Sequence, residues 1–283
     1  MSYKIKTFEL LNCPSLLLPT HIFNKATKVT LKNITDVTFH NQQNFVWSSG
    51  KREFTMENCG VGTFNENVFK NGSSGSGSTF SKIEIINSNI SRLDYHIFNN
   101  IEVDNFAITD SKINNIGEEA FDMKVKDYLT FSGNTVDEMH ANSFFALKAD
   151  PEISIAIQGN TMKKLLSQEF NLHFDSSMNN TKLSKAEFEE NYINHDCGCD
   201  LFEAFNGSHK REALEKYIYG KLILSFECNH ENRHYSWIDY DELKCKDEHG
   251  HGDEDHKDQE DKKKQRFFDS KFSDKIALTS KLL

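Results

Sequence analysis

Apolar and polar residues alternate in short segments that recur along the chain. In the segment that begins at Phe54, apolar residues stand at positions 1, 3, 8, 11 and 16, and Cys59 stands at position 6. Alternation at positions 1 and 3 indicates a short β-strand with one buried face. The template recurs with first positions at Phe8, Val29, Ile83, Phe106, Leu129 and Ile155. This recurrence predicts a solenoid of stacked repeats, here called coils, that share one core.

Two other positions of the repeat carry their own signal. Position 6 holds a small polar residue or cysteine, which can hydrogen-bond the backbone of the turn that leaves each strand. These residues are Cys13, Cys59, Ser88, Ser111, Asn134 and Asn160. The distal position 16 holds Phe23, Phe69, Phe98, Phe121, Phe144 and Phe170. We expect both sets to form ladders from coil to coil. Beyond the last full coil, Phe188, Asn191 and Ile193 fit positions 3, 6 and 8 of a half-repeat.

The motif LxLxx(N/C)xLxxL with its distal phenylalanine resembles the leucine-rich repeat family. The spacing of the first positions, between 21 and 29 residues, fits that family. The resemblance implies an α/β solenoid: a horseshoe of about seven to eight coils, with a parallel concave sheet and the phenylalanine ladder on the convex side. A right-handed parallel β-helix is the main alternative, because its coils have similar lengths but contain more strands. A compact α+β domain is a second alternative. Unequal spacings favour the horseshoe, since convex segments tolerate length changes better than strands.

The six cysteines fall into two groups. Cys13 and Cys59 occupy position 6 with one coil between them, so they should lie about 10 Å apart, given about 4.8 Å between neighbouring strands. A disulfide requires Cα atoms within about 7 Å. Both residues are therefore predicted to be free, buried thiols.

The four later cysteines resemble the C-terminal cysteine-rich cap of extracellular leucine-rich repeat proteins. Leu201 and Phe202 add to the resemblance, whereas Tyr192 departs from it by standing where proline is usual. The resemblance implies the disulfides Cys197–Cys228 and Cys199–Cys245. A zinc site is the alternative, with His195, His230 and His234 nearby, although the CxC spacing fits zinc poorly.

Four segments follow from these patterns and from composition. Residues 1–190 are predicted to form the solenoid, with a flexible Gly/Ser-rich loop at 70–79, and residues 191–245 the cap. Residues 246–265 are charged and without apolar residues, which predicts disorder. Residues 266–283 repeat apolar side chains at helical spacing and predict an amphipathic helix. No cofactor is expected, and the only metal site considered is a weak one at His249, His251 and His256.

Several features predict an extracellular protein. Disulfides form in oxidising compartments. Five sequons, at Asn33, Asn71, Asn89, Asn179 and Asn206, would accept N-linked glycans there. The N-terminus lacks the apolar segment of a signal peptide, so we expect a mature or shortened form. No apolar run is long enough to span a membrane, and the net charge of -10 argues against a nucleic-acid partner.

The outward strand positions predict a binding face on the concave sheet. The candidate residues are Glu9, Lys32, Glu57, Glu84, Thr109, Asp110 and Thr130. Among them Glu9, Glu57 and Glu84 could form an acidic stripe for a basic partner. The predicted function is therefore a secreted or ectodomain module that binds a protein partner, with a glycan as the other candidate ligand, and without catalysis.

An enzyme acting on polysaccharide from a parallel β-helix is the alternative function. Such an enzyme needs two carboxylates that converge on one cleft. Glu84 and Asp110 are on neighbouring strands, but positions 2 and 5 do not project together.

Overall fold

The computed structural model is a β-solenoid with parallel sheets and little helix. The chain divides into two units, 1–240 and 241–283, and every described residue belongs to the first. The structure describes residues 6–19, 23, 26–39, 51–66, 68–70, 79–144, 146–150, 152–163, 185–197, 226–231 and 233–240.

The first sheet has eight strands in line, all paired in parallel. With strands numbered in chain order, they are β1 (Thr7–Leu11), β3 (Lys28–Lys32), β5 (Arg52–Glu57), β8 (Thr79–Ile86), β11 (Ile101–Thr109), β13 (Met123–Ser132), β16 (Ser154–Gln158) and β18 (Lys185–Glu189). The short strand β15 (Lys148–Ala149) also pairs with β13.

The second sheet is formed by the segments that follow these strands. Its order is β2 (Ser15–Leu18), β4 (Asp36–Phe39), β6 (Gly60–Phe64), β9 (Asn89–Leu93), β12 (Lys112–Ile116), β14 (Thr135–Met139), β17 (Thr161–Met162), β19 (Asn191–Asp196), β20 (Phe226–His230) and β21 (Arg233–Ser236). Only the last pair, β20 with β21, is antiparallel among these. Two short strands, β7 (Phe69–Lys70) and β10 (Phe98–Asn99), form a third sheet. The described helices are a 3-10 turn at Ala141–Phe144 and α1 (Trp237–Tyr240).

The strand register confirms the repeat. Each predicted first position lies opposite the next one along the first sheet, and the series continues to Ala186 after Ile155. Phe188 lies opposite Ile157, so it takes position 3 as predicted. Side chains at positions 1 and 3 enter the core, where those of β3, β5, β8, β11, β13 and β16 are buried.

The phenylalanine ladder is confirmed for the described coils. Phe69, Phe98, Phe121 and Phe144 are all buried. Their ring centroids lie 5.0, 5.9 and 4.5 Å apart in succession, and each pair is stacked. Phe23 is also buried and contacts Phe8 edge to face at 4.8 Å. Phe170 lies outside the described residues. A continuous column of aromatic rings therefore runs inside the solenoid rather than along a convex surface.

The predicted fold class, an α/β leucine-rich repeat horseshoe, is wrong. The segment after each turn is a strand of a second parallel sheet, whereas a horseshoe would have a helical or irregular return there. The reason lies in the spacing of positions 8 and 11. In β9, Ile90 and Leu93 are three residues apart, yet both are buried, and the pairing with β12 is interrupted between them at Ser91 and Asn114. Parallel β-strands with this irregularity produce the apolar spacing that the sequence shared with leucine-rich repeats.

Position 6 forms the expected polar ladder. A side-chain oxygen on each coil accepts a hydrogen bond from the backbone N–H of position 6 on the coil before it. The links are Cys59 to Ser88 at 3.2 Å, Ser88 to Ser111 at 3.1 Å, Ser111 to Asn134 at 3.0 Å, Asn134 to Asn160 at 3.0 Å and Asn160 to Asn191 at 3.3 Å. Buried polar groups are thereby satisfied within the core. Asn191 takes position 6 of the half-repeat, as predicted.

The Cys197–Cys228 disulfide and the two free thiols are confirmed, whereas the predicted burial of both thiols holds only for Cys59. Cys197 and Cys228 form a disulfide, with Cα atoms 5.1 Å apart. Cys13 and Cys59 are free, although Cys13 is only partly buried. Cys199 and Cys245 lie outside the described residues, as do His249, His251, His256 and the segments 246–265 and 266–283. Among the described residues no group of three or more His, Cys, Asp or Glu side chains could hold a metal ion. In the same part of the chain, no helix is long and apolar enough to cross a membrane.

Candidate binding surface

The outer face of the first sheet carries three columns of side chains that run from coil to coil. They stand one residue before position 1, at position 2 and at position 4, because alternate residues of a strand project from opposite faces. On β11, for example, these are Asn105, Ala107 and Thr109, none of them fully buried. Strand pairing keeps equivalent positions side by side along the sheet.

The part of this face nearest the N-terminus is charged, and its charges are paired. Lys28 contacts Glu53 at 3.4 Å, and Lys32 contacts Glu57 at 2.8 Å. Lys82 contacts Glu84, two residues later on the same strand, also at 2.8 Å. Glu57 and Glu84 of the predicted acidic stripe thus each have a lysine partner, and Glu9 lies exposed on β1. These pairs reduce the net negative charge that a basic partner would meet.

Three successive strands, β11, β13 and β16, lie between the Lys82–Glu84 pair on β8 and the Lys185–Glu187 pair on β18. On the outer face they expose nine uncharged residues. We call this set the central patch: Asn105, Ala107, Thr109, Tyr128, Thr130, Ser132, Ser154, Ala156 and Gln158. Tyr128 is 58% exposed, which makes its ring one of the few large exposed hydrophobic groups in the described chain. Two of the predicted binding residues, Thr109 and Thr130, belong to the central patch.

Hydrogen-bonding groups of the central patch face solvent. Asn105 is the exception, because its Nδ2 donates a hydrogen bond to the carbonyl oxygen of Ser81 at 3.1 Å. Within the described residues, the side chains of Thr109, Thr130, Ser132 and Gln158 have no hydrogen-bond partner. Three hydroxyls and one primary amide are therefore available to a ligand on a surface whose strands are in register.

A second polar ladder borders this face at position 5. Asn12, Asn33, Asn58 and Asn87 have positive φ between 45° and 56°, a conformation that asparagine tolerates better than most residues. Their side chains are joined by hydrogen bonds of 2.9, 3.0 and 2.6 Å.

Asp110 continues this series at φ 52°, beside Gly133 on the next coil. The ladder places the Asp110 carboxylate at the edge of the central patch. Position 5 therefore serves primarily to form the turn.

The described sequons have different surroundings. Asn33 lies within the position-5 ladder, where its Nδ2 donates to Asn12 and its Oδ1 accepts from Asn58. Asn89 is exposed at the start of β9. A glycan on Asn33 would compete with the ladder, whereas one on Asn89 would not. Asn71, Asn179 and Asn206 lie outside the described residues.

A titratable cluster that was not predicted from the sequence lies at the turn after the second sheet. His96 Nε2 lies 2.6 Å from Glu119 Oε2 on the next coil, and the Tyr95 ring stacks on the His96 ring at 3.7 Å. Asp122 is nearby, and burial raises the pKa of its carboxyl group, partly offset by the positive charges of His96 and Lys148. His96 and Glu119 share position 14 of their repeats, a coincidence that could have revealed the pair. The pair joins adjacent coils.

Charged groups also pack in the N-terminal halves of the strands of the first sheet. Arg52 is buried and donates from Nη1 to the carbonyl oxygen of Ala26 at 3.1 Å. Burial lowers the pKa of its guanidinium to about 10, so it remains protonated at neutral pH. Lys51 pairs with Asp104 at 2.7 Å, and Lys126 pairs with Glu102 at 2.6 Å. A hydrogen bond to Glu102 raises the pKa of the Lys126 amine. These contacts hold the coils together outside the core.

Comparisons with protein-family models, curated proteins and solved structures find no match to this chain.

Proposed function

We propose that this protein is a binding module that contacts a protein partner through the outer face of its first sheet and has no catalytic activity of its own. The observation that carries the proposal is the central patch. It combines an exposed aromatic ring with hydroxyl and amide groups that have no partner in the described chain. Aromatic rings with nearby polar groups are enriched where proteins meet their partners.

The scaffold beneath the central patch supports binding. The position-6 ladder and the phenylalanine column link each coil to the next. A face whose backbone is held in this way loses little conformational entropy when a partner binds. Its stacked strands present equivalent positions at intervals of about 4.8 Å.

The Cys197–Cys228 disulfide supports an extracellular location, because such bonds persist in oxidising compartments. The exposed sequon at Asn89 is compatible with it.

Binding is favoured over hydrolysis of a polysaccharide by the chemistry of this face. The central patch contains no carboxylate, whereas glycoside hydrolysis commonly uses a pair. Of the two predicted candidates, Glu84 is engaged by Lys82 at 2.8 Å, and Asp110 belongs to the turn at the edge of the patch.

The test is site-specific photo-crosslinking in extracellular fluid. A photoreactive phenylalanine replaces Thr130 in the central patch or, as a control, the exposed Asn114 on β12 of the second sheet. We expect a protein adduct from position 130 that is lost when Thr109 is also changed to lysine. Equal adducts from both positions, or no adduct from position 130, would refute the proposal.

A further inference from the structure

We propose that the central patch recognises an uncharged glycan chain carried by the protein partner. This inference rests on the proposed function, since it names the chemistry by which the same face would bind.

The lack of charge on the central patch favours a neutral ligand. All nine residues of the central patch are uncharged, in a protein of which 27% of residues are charged. The lysines that flank the patch, Lys82 and Lys185, are already paired with Glu84 and Glu187, and the other charged groups at its border, Asp110 and Glu189, are carboxylates. A sulfated, sialylated or phosphorylated ligand would therefore lose hydration without meeting a free counter-charge. The patch is complementary to a neutral ligand.

The hydrogen-bonding groups are the second argument. The hydroxyls of Thr109, Thr130 and Ser132 both donate and accept, and so does the amide of Gln158 as a whole. Sugar hydroxyls also do both, so they match such groups in either orientation. Tyr128 adds an exposed ring that can pack against the C–H face of a sugar, since aromatic rings bury apolar area while keeping a polar edge.

The shape of the middle column suits the same ligand. Ala107 and Ala156 lie on either side of Thr130 on adjacent strands, in register. Their short side chains let a flat ring approach the sheet between the two outer columns. Those columns hold Asn105, Tyr128 and Ser154 on one side and Thr109, Ser132 and Gln158 on the other.

The area of the central patch also favours a glycan. Three strands about 4.8 Å apart and five residues at about 3.3 Å give the patch roughly 240 Å². A stable protein interface uses about 800 Å² on each partner. A second copy of this chain, or a protein surface without glycans, would therefore need a much larger contact area than the central patch provides. A glycan segment of a few sugars fits within it.

The experiment measures binding of neutral oligosaccharides to the purified full chain by glycan array, followed by calorimetry with the strongest binder. We expect a neutral oligosaccharide to bind, and its sulfated or sialylated forms to bind at least about tenfold more weakly. Tyr128→Ala should weaken binding by at least about tenfold, and Thr130→Glu should abolish it. Two matched controls, Tyr95→Ala at another exposed tyrosine and Asn114→Glu on the second sheet, should stay within about twofold of the unchanged protein.

Two results would overturn the glycan inference: no neutral oligosaccharide bound at ~1 mM, or binding that Tyr128→Ala and Thr130→Glu leave unchanged. Enzymatic removal of glycans from the extracellular fluid separates this inference from the proposed function. If the adduct at position 130 persists after deglycosylation, the module binds protein directly and only the glycan inference fails. If deglycosylation removes the adduct, the inference is supported. If no adduct forms in either sample, the proposed function fails as well.

Discussion

Asn160 Nδ2 donates a hydrogen bond to Asn191 Oδ1 on the next coil, at 2.9 Å, and both residues are completely buried. The same Nδ2 donates to the carbonyl oxygen of Phe131 at 2.8 Å, and Asn160 Oδ1 accepts from the backbone N–H of Asn134 at 3.0 Å. One amide thus satisfies polar groups on the coil before it and on the coil after it. The core is continuous because such side chains join each coil to its neighbours.

Replacing Asn160 by alanine should lower the free energy of unfolding by at least about 2 kcal/mol, because it leaves the Phe131 carbonyl and the Asn134 N–H buried without the side chain that bonds them. Urea denaturation followed by circular dichroism measures this loss. Asn114→Ala is the control, since Asn114 is exposed and should change stability by less than about 0.5 kcal/mol. Similar midpoints for the two variants would show that the ladder does not stabilise the solenoid.

The free energy of unfolding should be equally sensitive to the loss of a ring from the phenylalanine column. Phe121 stacks on Phe144 at 4.5 Å and on Phe98 at 5.9 Å, with no exposed surface. Phe121→Ala should therefore cost about 3–5 kcal/mol through lost burial and the cavity that remains. Tyr128→Ala, which removes an exposed ring, should cost less than about 0.5 kcal/mol in the same urea titration. A small effect of Phe121→Ala would contradict a close-packed column.

The sequence was sufficient to predict the repeat and its register. Phe54, Ile83 and Phe106 were assigned to the same position, and they lie opposite one another in adjacent strands. Strict alternation over a short strand is a strong signal, because a shift of one residue would expose the whole buried set. The polar ladder was predictable for the same reason, since its place in the repeat is constant.

The second sheet was not predicted, because its signal is ambiguous. Ile113 and Ile116 are three residues apart, a spacing that suits a helical or irregular return as well as a strand with a local irregularity. The β-branched residues at position 8, among them Ile90 and Val136, favoured a strand. The His96–Glu119 pair was missed because position 14 carries no apolar signal, and the central patch was missed because its limits are set by lysine–glutamate contacts that the repeat does not specify.

The two free thiols should react at very different rates. Cys59 is buried, and that burial also raises the pKa of its thiol, so less of the reactive thiolate is present at a given pH. Cys13 is partly exposed. At pH 8 without denaturant, we expect maleimide to modify Cys13 at least about tenfold faster than Cys59. Peptide mapping identifies the modified residue, and urea should remove the difference.

This expectation has an internal control in the variants Cys13→Ser and Cys59→Ser. The fast phase of maleimide labelling should be lost in Cys13→Ser and kept in Cys59→Ser. Rapid native labelling of Cys59 would contradict its place in the core. The same maps, made without reduction, report whether Cys199 and Cys245 form the second predicted disulfide.

Two glycines of β6 should respond differently to an added methyl group. A Cβ on Gly60 would overlap the backbone carbonyl oxygen of Thr35 on the preceding coil. The Gly60 N–H also donates to the neighbouring carbonyl oxygen of Ile34 at 2.9 Å, so the two backbones are held close together. A Cβ on Gly62 meets no atom within 4 Å. Gly60→Ala should therefore destabilise the protein by about 1–3 kcal/mol, because backbone must move to make room. Gly62→Ala should be neutral or stabilising by up to about 1 kcal/mol, since it restricts the unfolded chain. Urea midpoints compare the two variants, and an equal response would mean that β4 and β6 are not packed as closely as Gly60 requires.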